Sequence, residues 1–386
     1  MNILYVSSPL KSNYGGGEKF IENLVTSLPQ HQHSFLGGSL ALYKVFEKLG
    51  LKAELASAGL EPVTIKNLIL SPVSFITGLW HLWRFKNEFK SADIIVSPTS
   101  FTELFFVLPW VRILWNRPVV FIIQNNRFPN SIAKSPLLPI LKWMWQKYPV
   151  VFMSKAQQTE WSENGELAKY PSVIHHGIKT YQTQPSNWQE RPEIVLGFIA
   201  RIHEEKGIDI LLKALKLVNT KAKIVLNIAG EGEYLKTLQT LEADLNFSPN
   251  IKINWLGFLS EPKTFYDNLD LLVFPSRKES FGLVVVESWE RGVPVLCSNL
   301  PVFLELKDFQ KNIKERDLIH NLDDVESLKN QIESFLENIT YWRKAENKTQ
   351  IRQTVLENFQ IKEMAETYEK IFKQATTPKP DGFTPR

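Results

Sequence analysis

Two glutamates eight residues apart, Glu279 and Glu287, stand in the run E-S-F-G-L-V-V-V-E. Apolar residues 271–274 read as a strand and 275–280 (P-S-R-K-E-S) as a polar loop. Residues 281–290 read as a helix that Gly292 stops, with Pro294 and a further strand beyond. Glu279 then lies on the loop at the carboxyl end of a strand, and Glu287 about one and a half turns into the helix. Carboxylates on such a corner can accept hydrogen bonds from polyhydroxyl groups such as a sugar and a ribose. Gly282 lets the backbone amides of Phe281, Gly282 and Leu283 approach a ligand closely. The plainer reading is one surface glutamate and one helix glutamate.

A second cluster lies upstream. Arg201 closes an apolar run at 194–200, and Lys206-Gly207 opens a helix five residues later. A guanidinium and an ammonium beside a helix N-terminus suit a diphosphate, each charge-assisted hydrogen bond contributing about 1.5–3 kcal/mol. Glu204 and Glu205 lie between them, so a solvated charge cluster is the competing reading. The third feature is the glycine loop Asn13-Tyr14-Gly15-Gly16-Gly17-Glu18, set between a strand and a helix. Gly15 and Gly16 allow close backbone approach, and the helix behind them offers N–H groups to an anion. The loop fits neither G-x-G-x-x-G nor G-x-x-x-x-G-K-[ST], and a plain tight turn would also explain it.

The elements that must position these residues follow one rhythm. Short apolar runs at 3–6, 93–96, 119–123, 150–153 and 172–174 alternate with helical segments, and the pattern restarts at 194–200, 223–229, 252–256, 271–274 and 293–297. Both halves begin strand, glycine-bearing loop, amphipathic helix, which implies two doubly wound α/β domains with parallel sheets. Facing domains of this kind would put both loops at one cleft beyond the carboxyl ends of the strands. The boundaries read as 1–178 for the first domain, 179–192 for a polar linker with two prolines, and 193–360 for the second. A last helix at about 361–375 packs back on the first domain, and the Pro-rich tail 376–386 reads as disordered.

Composition narrows the classes. The 386 residues are 44% hydrophobic and 12% aromatic, a globular composition. Formal charge is +4, too near neutral to indicate a nucleic-acid partner. Residues 1–190 carry 18 basic and 12 acidic side chains, and the rest 27 and 29, so the first half is the basic one. The lone Cys297 excludes an intramolecular disulfide or a cysteine-cluster metal site and reads as a buried thiol. Among seven histidines only His31/His33 and His175/His176 are close, with no H-E-x-x-H and no D-x-D, so no metal is expected. No secretory signal opens the chain, and the uncharged stretch 67–83 is interrupted by Pro72, serines, Thr77 and His81. The expectation is a cytoplasmic protein.

Taken together these motifs resemble glycosyltransferase family 4, retaining enzymes of the GT-B fold. The E-x7-E run is joined, in the family's order, by G-G-G-E, F-I-A-R-I-H-E-E-K-G, I-A-G-E-G-E at 228–233, W-L-G-F at 255–258 and V-I-H-H-G-I at 173–178. The resemblance covers nearly the whole chain and is more specific in the second half. It implies that Glu279 stands beside a donor sugar, Glu287 holds the nucleotide ribose, and Arg201 and Lys206 clasp the donor diphosphate. It also implies that Gly15 and Gly16 line the cleft opposite, that Gly230 and Gly257 surround base and ribose, and that the amides of Phe281, Gly282 and Leu283 meet sugar or phosphate. The substrate so implied is a UDP- or GDP-sugar, and the acceptor a glycan or lipid-linked molecule in surface polysaccharide or glycolipid synthesis, with no metal required. The chain departs from the family at Gln124-Asn125, where many members carry a histidine. It departs again at 298–305, which lacks paired glycines but keeps Glu305, and at 311–324 (KNIKERDLIHNLDD), where a Gly-rich segment is usual. A sugar-nucleotide 2-epimerase of the same fold and a non-catalytic sugar-nucleotide or glycan-binding module remain alternatives.

Six of the 11 tryptophans (80, 83, 110, 115, 143 and 145) fall within 80–145, interleaved with Arg84, Lys86, Lys90, Arg112, Arg117, Arg127, Lys142 and Lys147. Tryptophan favours the headgroup boundary and cations favour an anionic leaflet. The expected partner is an anionic membrane surface on the inner face of the cytoplasmic membrane, with 137–147 lying in the interface; a tryptophan-filled core is the competing reading.

Overall fold

The computed structural model describes residues 1–7, 15–56, 80, 82–98, 108–124, 138–163, 168–181, 191–310 and 317–377. The chain forms two compact units, Met1–Gly177 with Ile361–Arg386, and Ile178–Gln360. Most of the linker 179–192, the tail beyond 377, and loop residues 8–14 lie outside the described residues, as do Asn125, 311–316, and most of 67–83.

The first unit is built on seven parallel strands: β1 Asn2–Ser7, β2 Gln32–Gly37, β3 Lys52–Leu55, β4 Ile94–Pro98, β5 Val119–Ile122, β6 Val150–Phe152 and β7 Pro171–Val173. Their spatial order is β3-β2-β1-β4-β5-β6-β7. Central strands β4 and β5 are buried along their whole length, which is why they read as continuous apolar runs. Helix Gly16–Ser27 buries Phe20, Ile21, Leu24 and Val25. Helix Ile361–Thr376 returns to this unit, burying Met364, Ala365, Tyr368, Ile371 and Phe372. Tyr368 packs against Phe20 at 5.6 Å between ring centroids, and Glu369 accepts from His31 at 3.1 Å.

The second unit has six parallel strands, β8 Glu193–Ile199, β9 Lys223–Ala229, β10 Ile251–Gly257, β11 Leu271–Phe274, β12 Val295–Ser298 and β13 Ile319–His320, in the order β10-β9-β8-β11-β12-β13. In both sheets the chain winds outward one way from its first strand and then the other, so strand order reverses between β1 and β4 and between β8 and β11. That reversal opens a crevice at the carboxyl ends, where ligands bind in open α/β sheets. Cys297 is fully buried on β12.

Three local expectations are corrected. Helix Leu283–Glu290 begins two residues later than the apolar run implied, leaving Phe281 and Gly282 ahead of it. Gly207 does cap the α-helix Ile208–Leu217, but Lys206 ends a 3-10 turn, Glu204–Lys206, and Val218 lies just beyond the helix. Strands β2, β3 and β13 are not marked by apolar runs in the sequence.

Candidate functional site

The loops after β8 and β11 meet at the reversal point of the second sheet. Arg201, two residues past β8, is exposed and has no ion-pair or hydrogen-bond partner among the described residues. The chain then turns through Glu204–Lys206 to Gly207, at φ 70°, where a Cβ would collide with the Pro275 carbonyl oxygen. Only glycine permits both that backbone and that approach. The contact presses the Lys206 loop onto the β11 loop.

Lys206 is not a free cation: its Nζ pairs with Glu279 Oε1, both side chains half-buried. The ammonium also lies 5.7 Å from the Phe274 ring centroid. Two of the residues picked out by type are thus in direct contact across 73 residues of sequence.

What holds the two loops in register is Arg277, a residue the motif reading passed over. Its backbone N–H donates to Glu205 O at 2.7 Å. Its Nη1 donates to Glu204 O at 2.5 Å, its two terminal nitrogens grip Asp209 at 2.8 and 2.9 Å, and its Nε reaches Asp323 at 2.5 Å. Hydrogen bonding to Asp209 outweighs partial burial and, with Asp323, holds the guanidinium above its already high range. Ser276 Oγ donates to Glu205 O at 3.2 Å, and Lys278 pairs with Glu205 at 3.3 Å. The signal is Arg277 in a polar loop and Asp209 in the first turn of helix Ile208–Leu217. Their pairing, however, is a tertiary fact.

Gly282 has φ 89°, and a Cβ there would lie 2.7 Å from the Phe303 ring. Glycine is therefore required at the turn that leads into helix Leu283–Glu290, whose first amides have no acceptor within the helix. Phe281 itself is buried and packs edge-on against Phe359 at 6.1 Å, so any ligand contact it makes is through its backbone. Glu287 is half-buried and accepts from the Tyr266 hydroxyl at 2.9 Å. Burial first, and then the Glu287 charge, push the Tyr266 phenol far up, so it remains a neutral donor that fixes the carboxylate. Farther along the same edge, Gly230 N–H donates to Gly257 O at 2.7 Å, joining the loops after β9 and β10. Leu256 and Phe258 on either side of Gly257 are exposed. Together these groups offer cations, helix N-terminal amides, positioned carboxylates and an apolar shelf at the carboxyl edge of one sheet.

In the first unit, Gly15 caps helix Gly16–Ser27, and its N–H already donates to Glu18 Oε2 at 3.0 Å, so this amide is occupied rather than offered to an anion. Gly16 is exposed with open space around it. Gln124, past β5, lies against Gly17 and donates to its carbonyl at 3.5 Å. Among the described residues no three His, Cys, Asp or Glu side chains converge as metal ligands, and no helix is long and apolar enough to cross a membrane.

Residues 180–352 match the model of the family described as Glycosyl transferases group 1. Two sequences of the O-antigen biosynthesis glycosyltransferase WclY of Escherichia coli are each 31% identical to this chain. One aligns over 238 residues (58% of this chain and 65% of the relative) and the other over 199 (49% and 54%), so the chain spans between half and two thirds of these relatives. Among solved structures, Anabaena Alr3699/HepE in complex with UDP superposes with a TM-score of 0.75 at 19% identity, covering 97% of this chain and 100% of the other. A glycosyltransferase from Rickettsia africae ESF-5 gives 0.76 at 17% identity, covering 98% and 99%. The fold is therefore GT-B, two parallel-sheet α/β domains, and the second unit carries the similarity to group 1 glycosyltransferases.

Proposed function

We propose that this chain is a retaining glycosyltransferase that moves a hexosyl group from a nucleoside-diphosphate sugar to a glycan or lipid-linked acceptor in surface polysaccharide assembly. The observation that carries the reading is the unpaired, exposed Arg201 at the sheet reversal, beside a Lys206–Glu279 pair held in place by Arg277. The UDP bound by the HepE structure and the O-antigen role in the WclY name favour a UDP-sugar and a polysaccharide pathway.

In this reading Arg201 and Lys206 receive the diphosphate, and the entering anion takes Lys206 from Glu279. The carboxylate released in this way turns to the sugar hydroxyls and to the positive charge that develops at the anomeric carbon. Glu287, fixed by Tyr266, accepts from the ribose. The bond from anomeric carbon to diphosphate oxygen breaks as the acceptor oxygen attacks from the same face, and the departing diphosphate takes the acceptor proton. Preorganised cations stabilise the leaving charge without a metal. In the same reading residues 1–178 take the acceptor and residues 193–360 the donor, and the enzyme works in the cytoplasm at the inner membrane face.

The test is incubation with UDP-, GDP- and ADP-sugars and lipid-linked or glycan acceptors, following nucleotide release and the anomeric configuration of the product by NMR. Acceptor-dependent release with retained configuration, unaffected by excess chelator, is expected. An isomerised nucleotide sugar formed without acceptor, or an inverted product, would overturn the reading.

A further inference from the structure

At the amino ends of β5, β6 and β7, the edge of the first sheet opposite to Gln124, a crevice of about 570 Å³ opens beside Pro118, Pro149 and Tyr170. Three cations line it, Arg112, Lys147 and Lys169, and none of the described lining residues is acidic. Among the described residues none of the three side chains has a carboxylate or carbonyl partner, and each lies against an aromatic ring. Arg112 stands 5.4 Å from the ring of Tyr148, Lys169 5.4 Å from that of Tyr170, and Lys147 4.5 Å from that of Trp143. Burial pushes the Tyr148 phenol up, outweighing the pull of the Arg112 charge, so the phenol stays neutral and leaves that charge uncompensated.

A plainer role for these cations is to offset helix ends. Helices Leu108–Trp115, Leu138–Trp145 and Ile361–Thr376 all finish at this crevice, where Asn116, Gln146 and Thr377 line it. Each end carries about half a negative charge, so three ends cancel only about half of three cations. About 1.5 positive charges remain, close in size to the charge of a phosphate monoester at pH 7, about −1.5 to −2. The rest of the lining indicates what such a phosphate is attached to. Tyr148 and Tyr170 are buried, 5% and 8% exposed, and leave no aromatic face for a nucleobase. Asn116, Gln146 and Gln374 are exposed carboxamides, which both donate and accept and so match hydroxyl groups. The volume is that of a small-molecule site rather than of a bare ion.

We propose that this crevice binds a small phosphorylated sugar, its phosphate among Arg112, Lys147 and Lys169 and its hydroxyls on Asn116, Gln146 and Gln374. Gln374 belongs to the returning helix Ile361–Thr376, whereas Lys147 and Lys169 stand on the loops before β6 and β7. The ligand therefore ties the end of that helix to the sheet, and its binding stabilises the first unit. This site takes no part in the transfer reading.

The experiment is titration calorimetry of the full chain with glucose 1-phosphate, and separately with inorganic phosphate and with glucose, in about 50 mM salt so that exposed charges are weakly screened. Glucose 1-phosphate is expected to bind more tightly than inorganic phosphate, and glucose not to bind. Lys147→Gln/Lys169→Gln should weaken glucose 1-phosphate about 10-fold, the scale of two exposed ion pairs. Both side chains are exposed, so the unfolding midpoint without ligand should hardly move. Arg201→Ala distinguishes this crevice from the carboxyl edge of the second sheet and should leave the binding unchanged. Glucose 1-phosphate should also raise the unfolding midpoint of the wild type more than that of the lysine double variant. Absence of binding, equal binding by the lysine variant, loss of binding in Arg201→Ala, or inorganic phosphate binding as tightly as the sugar phosphate would overturn the proposal.

Discussion

In the second unit, the buried carboxylates Asp270 and Glu290 are paired with arginines, although burial drives Lys348 down to about 6. Asp270 holds Arg343 through two hydrogen bonds at 2.9 and 3.0 Å, and buried Glu290 meets Arg291 and Arg352 at 3.4 and 3.2 Å. The first unit, with the same winding, keeps its buried polar groups neutral. His33 Nε2 bonds the Leu28 carbonyl at 2.8 Å, and Gln157 bridges the Met153 amide and the Ile123 carbonyl at 2.8 and 3.0 Å. His176 is enclosed by Met153 and Phe20, and burial pushes its imidazole down to about 3. Asp270 stands just before β11, at the amino edge of the second sheet, and at the carboxyl edge Glu279 pairs with Lys206. Such pairs are poor evidence for stability but strong determinants of geometry.

The contrast is broken most directly at its cations. Arg201→Ala and Lys206→Ala should each lower turnover about 10²–10³-fold, the usual cost of losing one preorganised group at a developing negative charge. Near-normal rates in either folded variant would remove the site from this edge. Next comes Arg277→Gln, which cuts the fastening between the two loops without touching substrate. A shift of the Lys206–Glu279 pair by about 1 Å is worth up to about 100-fold in turnover. Arg277→Lys should rescue less than half of that loss, because an ammonium cannot grip Asp209 with two nitrogens. Full rescue by lysine would reduce Arg277 to a local charge.

A smaller effect separates the carboxylates. Glu287→Gln should weaken nucleoside-diphosphate binding about 10-fold by titration calorimetry, one charge-assisted hydrogen bond. Glu279→Gln should leave that binding intact or tighten it, because Lys206 is freed, while transfer is lost. The reverse pattern would exchange their roles. The smallest effect tests the neutral side. His176 titrates near 3 in the folded state and near 6.5 when unfolded, so between these values only the unfolded chain binds the proton. Stability of the first unit should therefore fall by about 1.4 kcal/mol per pH unit below about 6.5, roughly 2 kcal/mol by pH 5. Denaturant titrations of wild type and His176→Gln at pH 7 and pH 5 read this out. An unchanged acid slope in the variant would assign the sensitivity elsewhere.

Much of this arrangement is legible in the chain itself, because buried parallel strands such as β4, β5 and β11 must be apolar on both faces. The strands that escaped are those whose burial is partial. β3 (K-A-E-L) is an edge strand with exposed Lys52 and Leu55, β2 begins with Gln32 and His33, and β13 has two residues. Glu279, Glu287, Arg201 and Lys206 stand out by type and spacing. Arg277 does not, since an arginine between serine and lysine in a polar loop looks solvated until Asp209 and Asp323 arrive from 68 and 46 residues away. Likewise the occupation of the Gly15 amide by Glu18 depends on where one carboxylate folds back.

The return of helix Ile361–Thr376 to the first unit sets an order of assembly during synthesis. The groove it fills beside Phe20 is made first, yet all of 178–360 must leave the ribosome before the helix that fills it exists. At about 5–20 residues per second, that leaves the groove open for some 10–40 s. The unit begun first is thus the last to be finished, and for that interval its unclosed apolar face is open to chaperones and to neighbouring nascent chains.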